Sequence, residues 1–158
     1  MAAGGSSVER VREALLAAGH PDSIAEFPAG TRSAADAAAA IGCSVAQIAK
    51  SLVFRSGERP VLVLASGAVR VDESRLSAVL GRPVARAEGR WVREVTGFAI
   101  GGVAPVGHLT PPLAVLDEGL MALDPLWAAA GSPAHVFRTD GRALLRLTGG
   151  VVAAIAAP

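Results

Sequence analysis

The sequence predicts a single α+β domain with a mixed or partly antiparallel sheet, and three observations support this class. The chain has 158 residues, a typical length for one domain. Hydrophobic residues make up 51% of it and charged residues 18%, which is enough to bury one core and too apolar for a disordered chain. Strand-like and helix-like segments are interspersed, but their spacing does not repeat as βαβ units. We expect residues 1–6 to form a flexible tail and residues 7–158 to form the domain.

The first half of the chain is expected to combine short helices with a β-hairpin or a pair of adjacent strands. A capping serine, an apolar stripe and a closing glycine predict the first helix. The apolar run at 60–65 has no polar face, so this strand should be central and covered on both sides. In order, we expect a helix from Ser7 to Gly19, a strand at 24–27, a helix at 34–41, a turn at 45–48, strands at 50–55 and 60–65, and a helix at 72–80.

The second half of the chain changes character after one short strand and one helix. Four glycines and one proline fall within residues 97–108, which we call the glycine segment, and this composition is typical of a loop. In order, we expect a strand at 83–86, a helix at 88–95, the glycine segment, a strand at 113–117, a short helical turn at 125–131, a strand at 134–138, a helix at 140–147 and a closing segment at 151–155.

Composition and charge exclude several classes of function. The formal net charge is +1, unlike the strongly basic domains that grip nucleic acid, so any contact with nucleic acid must be local. The single cysteine, Cys43, excludes an internal disulfide and a cysteine zinc cluster, and the three histidines lack metal-ligand spacing. No window approaches about 18 continuous apolar residues, so we expect no membrane span. The expected compartment is the reducing cytoplasm, and we expect no metal, cofactor, membrane or DNA partner.

Lys50 is the first candidate site residue, because it is the only lysine among 15 basic residues. It begins an apolar strand beside the polar Ser51, so this end of the strand faces something polar. A lysine ammonium is a compact donor whose pKa falls on partial burial, and arginine cannot replace it in that role. The alternative is a strand-end lysine that extends into solvent, and the sequence alone leaves both interpretations open.

Gly101 and Gly102 are the second candidate. Adjacent glycines let the backbone approach a ligand closely, and their N–H groups can hold a carbonyl oxygen as negative charge develops on it. The alternative is a tight crossing between two chain segments. A phosphate-binding loop is disfavoured, because His108 follows Gly107 where that loop requires lysine, and because Pro105 removes an amide.

Ser132 and His135 are the third candidate. A serine–histidine pair suggests nucleophilic hydrolysis, but no G-x-S-x-G turn surrounds Ser132. The sequence therefore favours a turn serine and a strand histidine that are both bonded to backbone.

Three motifs, in their order and at their spacing, resemble the YbaK/EbsC family, whose domain is also inserted in bacterial prolyl-tRNA synthetases. They are QIAKSLVF at 47–54, GGVAPVG at 101–107 and GSPAHVF at 131–137. The stretch GAVRVD at 67–72 also fits the approach to the family's middle helix. The resemblance covers residues 23–155.

The resemblance implies a curved mixed sheet, nearly a barrel, surrounded by helices. It also implies a trans-acting deacylase that hydrolyses the ester of mischarged aminoacyl-tRNA, with the acceptor end of tRNA, and a synthetase, as partners. The implied substrate carries a small amino acid, such as Cys or Ala on tRNA-Pro. Lys50 would be the essential residue, and the substrate-binding residues around it would be Ser51, Gly101, Gly102, Val103, Ser132, His135 and Asp140.

The expected chemistry needs no serine nucleophile, because the aminoacyl ester is labile and either water or the neighbouring ribose hydroxyl can attack it. Lys50 would stabilise the substrate near the ester, and the amides around Gly101 and Gly102 would hold the oxyanion. The family member best known for cysteinyl substrates carries a tyrosine upstream of the lysine, whereas this chain has no tyrosine. Two other classes stay open: a non-catalytic module that binds tRNA or a synthetase, and a small-molecule ester hydrolase.

Overall fold

The computed structural model describes residues 3–27 and 33–158, with side chains from residue 7 onward. Five helices and an eight-stranded mixed sheet form one α+β unit in these ranges, as the sequence predicts. The helices are α1 (Ala3–Ala17), α2 (Ala34–Ile41), α3 (Glu73–Leu80), α4 (Gly89–Thr96) and α5 (Gly141–Thr148). The strands are β1 (Ala25–Glu26), β2 (Ile48–Ser56), β3 (Arg59–Ser66), β4 (Ala85–Arg86), β5 (Leu113–Asp117), β6 (Leu126–Ala129), β7 (His135–Thr139) and β8 (Val151–Ala153). Short 3-10 turns cover Val45–Gln47 and Glu118–Ala122.

The sheet runs in the order β1-β7-β6-β2-β3-β5-β8, and β4 pairs with β2 outside this path. Strands β2 and β3 form the predicted antiparallel hairpin, and β6, β7 and β1 also pair antiparallel. The β2–β6, β3–β5 and β5–β8 pairs are parallel, which makes the sheet mixed. Within the described residues the two end strands do not pair with each other, so the sheet is open.

Strand β3 carries core on both of its faces, which confirms the prediction from its apolar sequence. Its residues 60–66 are buried. Leu62 and Leu64 pack into the larger core cluster, whereas Val61 and Val63 pack into a second cluster that includes the buried leucine of α3. Burial of each such side chain stabilises the fold by about 1.5–3 kcal/mol. This strand is the support against which β2 is held.

The helix ends follow the capping signals in the sequence. The Ser33 hydroxyl accepts the Asp36 N–H at 3.1 Å, and Gly42 ends α2 with φ of 87°, a left-handed conformation that favours glycine. The carboxylates of Asp72 and Asp140 accept N–H groups in the first turns of α3 and α5. None of the helices in the described ranges is long and apolar enough to cross a membrane.

The prediction of a helical turn at 125–131 is wrong, because this stretch contains β6. Leu126 and Ala128 are buried, while Trp127 and Ala129 are only half-buried. This alternation with period two is the mark of a strand, and β6 lies between β2 and β7. The alanine-rich sequence hides the alternation, since alanine is common on both buried and exposed faces.

Helix α1 begins at Ala3, before the N-cap that we expected at Ser7. The Ser7 hydroxyl instead donates to the Gly131 carbonyl at 2.7 Å, so this side chain ties α1 to a distant loop.

A gap in the sheet lies along one edge of β2. On that edge β6 pairs with Ile48 and Ala49, and β4 pairs with Phe54 and Arg55. Between them, residues 50–53 have no strand partner on this edge within the described ranges. The gap opens the sheet where Lys50 lies.

Candidate functional site

Two adjoining cavities lie beside the gap in β2 and together form one cleft. The first has a volume of about 260 Å³ and the second about 350 Å³. Ligand sites are typically a few hundred Å³ in volume, so each cavity has room for one small chemical group. Six residues line both cavities and form what we call the shared wall: Lys50, Ser51, Leu52, Ile100, Gly101 and Val103.

The two cavities differ in chemistry beyond the shared wall. The first is lined mainly by small or apolar side chains, with Ser33, Ser132 and His135 as its polar members. The second is lined by Arg70, Glu73 and Arg86 as well as by apolar residues. The cleft therefore joins an apolar compartment to a charged one.

Lys50 projects from β2 into this cleft, and the turn after β3 holds its ammonium. Its Nζ donates a hydrogen bond to the Val69 carbonyl, which is its one partner in the described part of the chain. Burial lowers the pKa of the Lys50 amine from its ordinary value of 10.5. An ammonium has three N–H donors, so two remain for a ligand in the cleft.

Ser51 carries a buried hydroxyl that finds no hydrogen-bond partner among the described residues. A buried polar group left without a partner costs about 1–3 kcal/mol, so such a group calls for a ligand or water. Ser51 belongs to the shared wall, so this hydroxyl lies next to the cleft but beneath its surface.

The glycine segment forms the opposite side of the cleft, but its two paired glycines have different roles. Gly102 lines neither cavity: its N–H donates to the Ala99 carbonyl at 2.9 Å, and a Cβ there would lie 2.7 Å from the Ser132 Cα. This corrects the expected role of Gly102 as a donor to substrate and supports the alternative of a tight backbone crossing. Gly101, with φ of 91°, and Val103 both line the cleft, and their N–H groups have no acceptor in the described ranges.

Ser132 and His135 bond to each other rather than only to backbone. Ser132 Oγ lies 2.6 Å from His135 Nδ1 and accepts the Ala134 N–H at 3.0 Å. His135 Nε2 lies 3.2 Å from a carboxylate oxygen of Glu26. No local sequence signal points to Glu26, which becomes the neighbour of His135 only through the antiparallel pairing of β1 with β7.

Asp140 lies outside the cleft, contrary to the expectation that the resemblance gave. It caps α5 and lines a separate cavity of about 530 Å³ together with His20, Arg138 and Arg146. His135 begins β7, and Asp140 directly follows its last residue. Four residue steps of extended strand place the two ends of β7 about 13 Å apart. The geometry therefore gives Asp140 a capping role and no contact with the shared wall.

Helix α1 holds both loops that face β2. Arg10 donates from Nε to the Gly107 carbonyl at 3.1 Å and from Nη2 to the Gly97 carbonyl at 2.9 Å, and its guanidinium lies over the Phe98 ring at 5.0 Å. Ser7 holds the Gly131 carbonyl in the same way. Three loop carbonyls are thus fixed by two side chains of one helix.

His108 lies behind the glycine segment and not in the cleft. Its Nε2 lies 2.6 Å from the Ala104 carbonyl oxygen, its ring packs edge-on against Phe98, and burial lowers its pKa. No group of three or more His, Cys, Asp or Glu side chains that could hold a metal ion occurs in the described residues.

The fold is that of a known class of domain. The family described as aminoacyl-tRNA editing domain matches residues 28–147, which is most of the chain. The chain therefore belongs to the aminoacyl-tRNA editing domain family, and the resemblance inferred from the three sequence motifs is confirmed.

Individual relatives are similar to this chain over most of its length. A solved structure described as that of a candidate trans-editing enzyme for prolyl tRNA synthetase is 45% identical, has a TM-score of 0.90, and aligns over 96% of this chain and 98% of its own. The structure of a hypothetical protein is 28% identical with a TM-score of 0.87, over 94% of this chain and 99% of its own. The uncharacterized protein YwhH of Bacillus subtilis is 32% identical over 127 residues, which cover 80% of this chain and 81% of YwhH.

Proposed function

We propose that this protein is a trans-acting deacylase that hydrolyses the ester between a small amino acid and tRNA. The observation that carries the proposal is the cleft, in which Lys50 and Ser51 on a strand face Gly101 and Val103 across two joined cavities. Membership of the editing-domain family and the described role of the 45% identical relative support the same activity.

The chemistry of the two cavities suggests how the substrate lies. The apolar first cavity suits the aminoacyl group. The second, where Arg70 lies near an ion pair of Arg86 with Glu73, suits the terminal nucleotide and its phosphate. The ester joins these two parts of the substrate, so it would lie at the shared wall. That is where the Lys50 ammonium has unused hydrogen-bonding capacity.

In the transition state, negative charge develops on the ester carbonyl oxygen. Three donors of the shared wall could hold this oxygen: the backbone N–H groups of Gly101 and Val103 and the Lys50 ammonium. A well-placed oxyanion donor contributes about 3 kcal/mol in other enzymes. Because the aminoacyl ester is already labile, a water molecule or the neighbouring ribose hydroxyl suffices as the attacking group.

The walls of the first cavity suit a small, apolar aminoacyl group, because they carry mainly alanine, isoleucine, valine and tryptophan side chains. We expect the amino acid to be selected by how well its side chain fits these walls. The description of the 45% identical relative makes tRNA-Pro the first tRNA to test, charged with Ala or Cys. With a net charge of +1, the protein would grip only the acceptor end, so salt should weaken binding less steeply than for a highly basic protein.

The test is a deacylation assay of the purified chain on tRNAs that carry Ala, Cys, Ser or Thr. The proposal expects rapid loss of at least one small amino acid, and expects Lys50→Ala to abolish this loss without lowering the melting temperature. Arg90→Ala is the control, because Arg90 is an exposed cation on α4. Binding of tRNA without turnover would identify a non-catalytic module, and turnover of free aminoacyl esters without tRNA would identify a small-molecule hydrolase. Full activity of Lys50→Ala would contradict the assignment of Lys50.

A further inference from the structure

We propose that Glu26, His135 and Ser132 form a proton relay for the deacylation. Ser132 accepts the proton of the attacking oxygen, His135 holds that proton, and Glu26 positions and charge-stabilises the ring. This inference rests on the proposed function and adds a catalytic base to it. Its physical basis is the continuous chain of contacts from Glu26 Oε2 through both ring nitrogens of His135 to Ser132 Oγ, at 3.2 and 2.6 Å.

The chemistry of the donors fixes the direction of each hydrogen bond. A carboxylate only accepts, so His135 Nε2 carries a hydrogen and donates it to Glu26. The Nδ1 atom of the neutral ring is then an acceptor, and the Ser132 hydroxyl donates to it. The Ala134 N–H donates to Ser132 Oγ, which leaves one Oγ lone pair for a group in the first cavity that Ser132 lines.

This arrangement makes Ser132 the contact between His135 and a substrate. Both ring nitrogens of His135 are already engaged, so an attacking oxygen in the cavity reaches the imidazole through the serine hydroxyl. The array has the hydrogen-bond order of a serine–histidine–carboxylate triad, in which the carboxylate holds the tautomer that makes histidine a base. Here the hydroxyl passes a proton instead of attacking the carbonyl.

Water supplies both the attacking oxygen and the proton that enters the relay. The oxygen of a water molecule bonds to the ester carbonyl carbon and gives one proton to Ser132 Oγ, while the Ser132 proton moves to His135 Nδ1. The resulting imidazolium lies against the Glu26 carboxylate, which stabilises its charge. The bond between the carbonyl carbon and the ribose oxygen then breaks, and that oxygen takes the proton back from Nδ1 through Ser132. The products are the amino acid, whose carboxyl group ionises, and the free ribose hydroxyl.

Glu26 belongs to this relay through the fold and not through local sequence. Strand β1 pairs Glu26 directly opposite His135 on β7. The Glu26 side chain is 68% exposed, so its ion pair contributes little to stability, and a change there should act mainly on the histidine.

The kinetic test compares Glu26→Gln with Glu26→Asp on the mischarged tRNA that the wild type deacylates. Gln still accepts from Nε2 but lacks the charge that stabilises the imidazolium, so we expect kcat to fall about tenfold with KM within twofold. Asp keeps the charge and should restore most of the rate. The matched control is Glu94→Gln, because the Glu94 side chain is 66% exposed and pairs with Arg90 on the surface of α4. An unchanged kcat, or a rise in KM alone, would overturn the relay.

The second test reads the tautomer directly and does not depend on activity. In protein labelled with ¹⁵N-histidine, the His135 signals are identified by their loss in His135→Gln, and the neutral ring should carry its hydrogen on Nε2. A hydrogen on Nδ1 would overturn the proposed direction of the relay. If the wild type deacylates no mischarged tRNA, the proposed function and the proton transfer both fail, whereas an Nε2–H tautomer would still confirm the ground-state hydrogen bonds.

Discussion

The cleft has two sides that are built by different means. The strand side, carrying Lys50 and Ser51, belongs to β2, which pairs with the buried β3 over eight residue pairs. The loop side consists of the glycine segment and residues 131–134, and its position depends on side-chain bonds from Ser7 and Arg10 of α1. On the strand side, a functional side chain can therefore be replaced without loss of the fold. On the loop side, a change that loosens the support should lower stability and activity together.

The largest effect is expected on the strand side. Lys50→Met keeps most of the side-chain volume but removes the ammonium, so the deacylation rate should fall by at least 100-fold while the melting temperature stays within about 2 °C or rises. Arg59→Met, at the exposed start of β3, is the control and should change neither quantity. A Lys50→Met enzyme that loses its fold along with its activity would contradict the claimed separation of chemistry from stability.

The next effect is expected where the two loops cross. Gly102→Ala places a Cβ 2.7 Å from the Ser132 Cα, and the resulting overpacking should lower the free energy of unfolding by about 1–3 kcal/mol in urea denaturation. Gly89→Ala is the matched control: its Cβ would meet only the Ile100 side chain, at 3.5 Å, so stability should be unchanged or slightly higher. Equal stability of the two variants would show that the loops are not tightly packed there.

A smaller effect is expected from the support helix. In Arg10→Lys the ammonium cannot hold the Gly97 and Gly107 carbonyls with the planar geometry of a guanidinium, so unfolding should become easier by about 1–2 kcal/mol. We also expect a several-fold lower kcat, because the glycine segment loses its fixed position. Arg12→Lys, which alters only ion pairs with Glu9 and Asp22, is the control. A lower stability with an unchanged kcat would show that α1 supports the fold but does not affect catalysis.

The smallest effect concerns the titration of Lys50. Burial lowers the pKa of its amine, so the ¹⁵Nζ signal of the single lysine should titrate below 10.5. Between the pKa of the folded protein and that of the unfolded chain, the unfolded chain binds more protons. The stability that this amine contributes therefore rises with pH across that window. A midpoint at or above 10.5 would mean that the amine is solvated, against its position in the cleft wall.

The sequence predicted the parts of this fold that local signals determine. The cap residues Ser33, Asp72 and Asp140 mark helix starts, and the doubly apolar run at 60–65 marks the buried strand. The sequence did not predict β6, because its alanines give no hydrophobic periodicity. Lys50 was predicted as a site residue because it is a lysine in a chain whose other basic residues are arginines. Its place in the cleft results from the gap between β4 and β6 along β2.

The parts that the sequence could not predict depend on contacts between distant segments. Glu26 reaches His135 only through pairing across more than 100 residues of chain, and Gly102 is needed for a crossing with Ser132. Asp140 was assigned to the site by resemblance, yet its carboxylate is used to cap a helix. Neither spacing nor residue type distinguishes these roles before the sheet is assembled.

The most direct measurement of the central claim is an NMR titration with an adenosine that carries alanine through a 3′-amide, which replaces the ester by a bond that resists hydrolysis. We expect the single lysine ¹⁵Nζ signal and the amide signals of Gly101 and Val103 to shift together and to saturate at one ligand concentration. Saturable binding that leaves the lysine signal unmoved, or no binding at millimolar ligand, would contradict the claim that the ester lies at the shared wall.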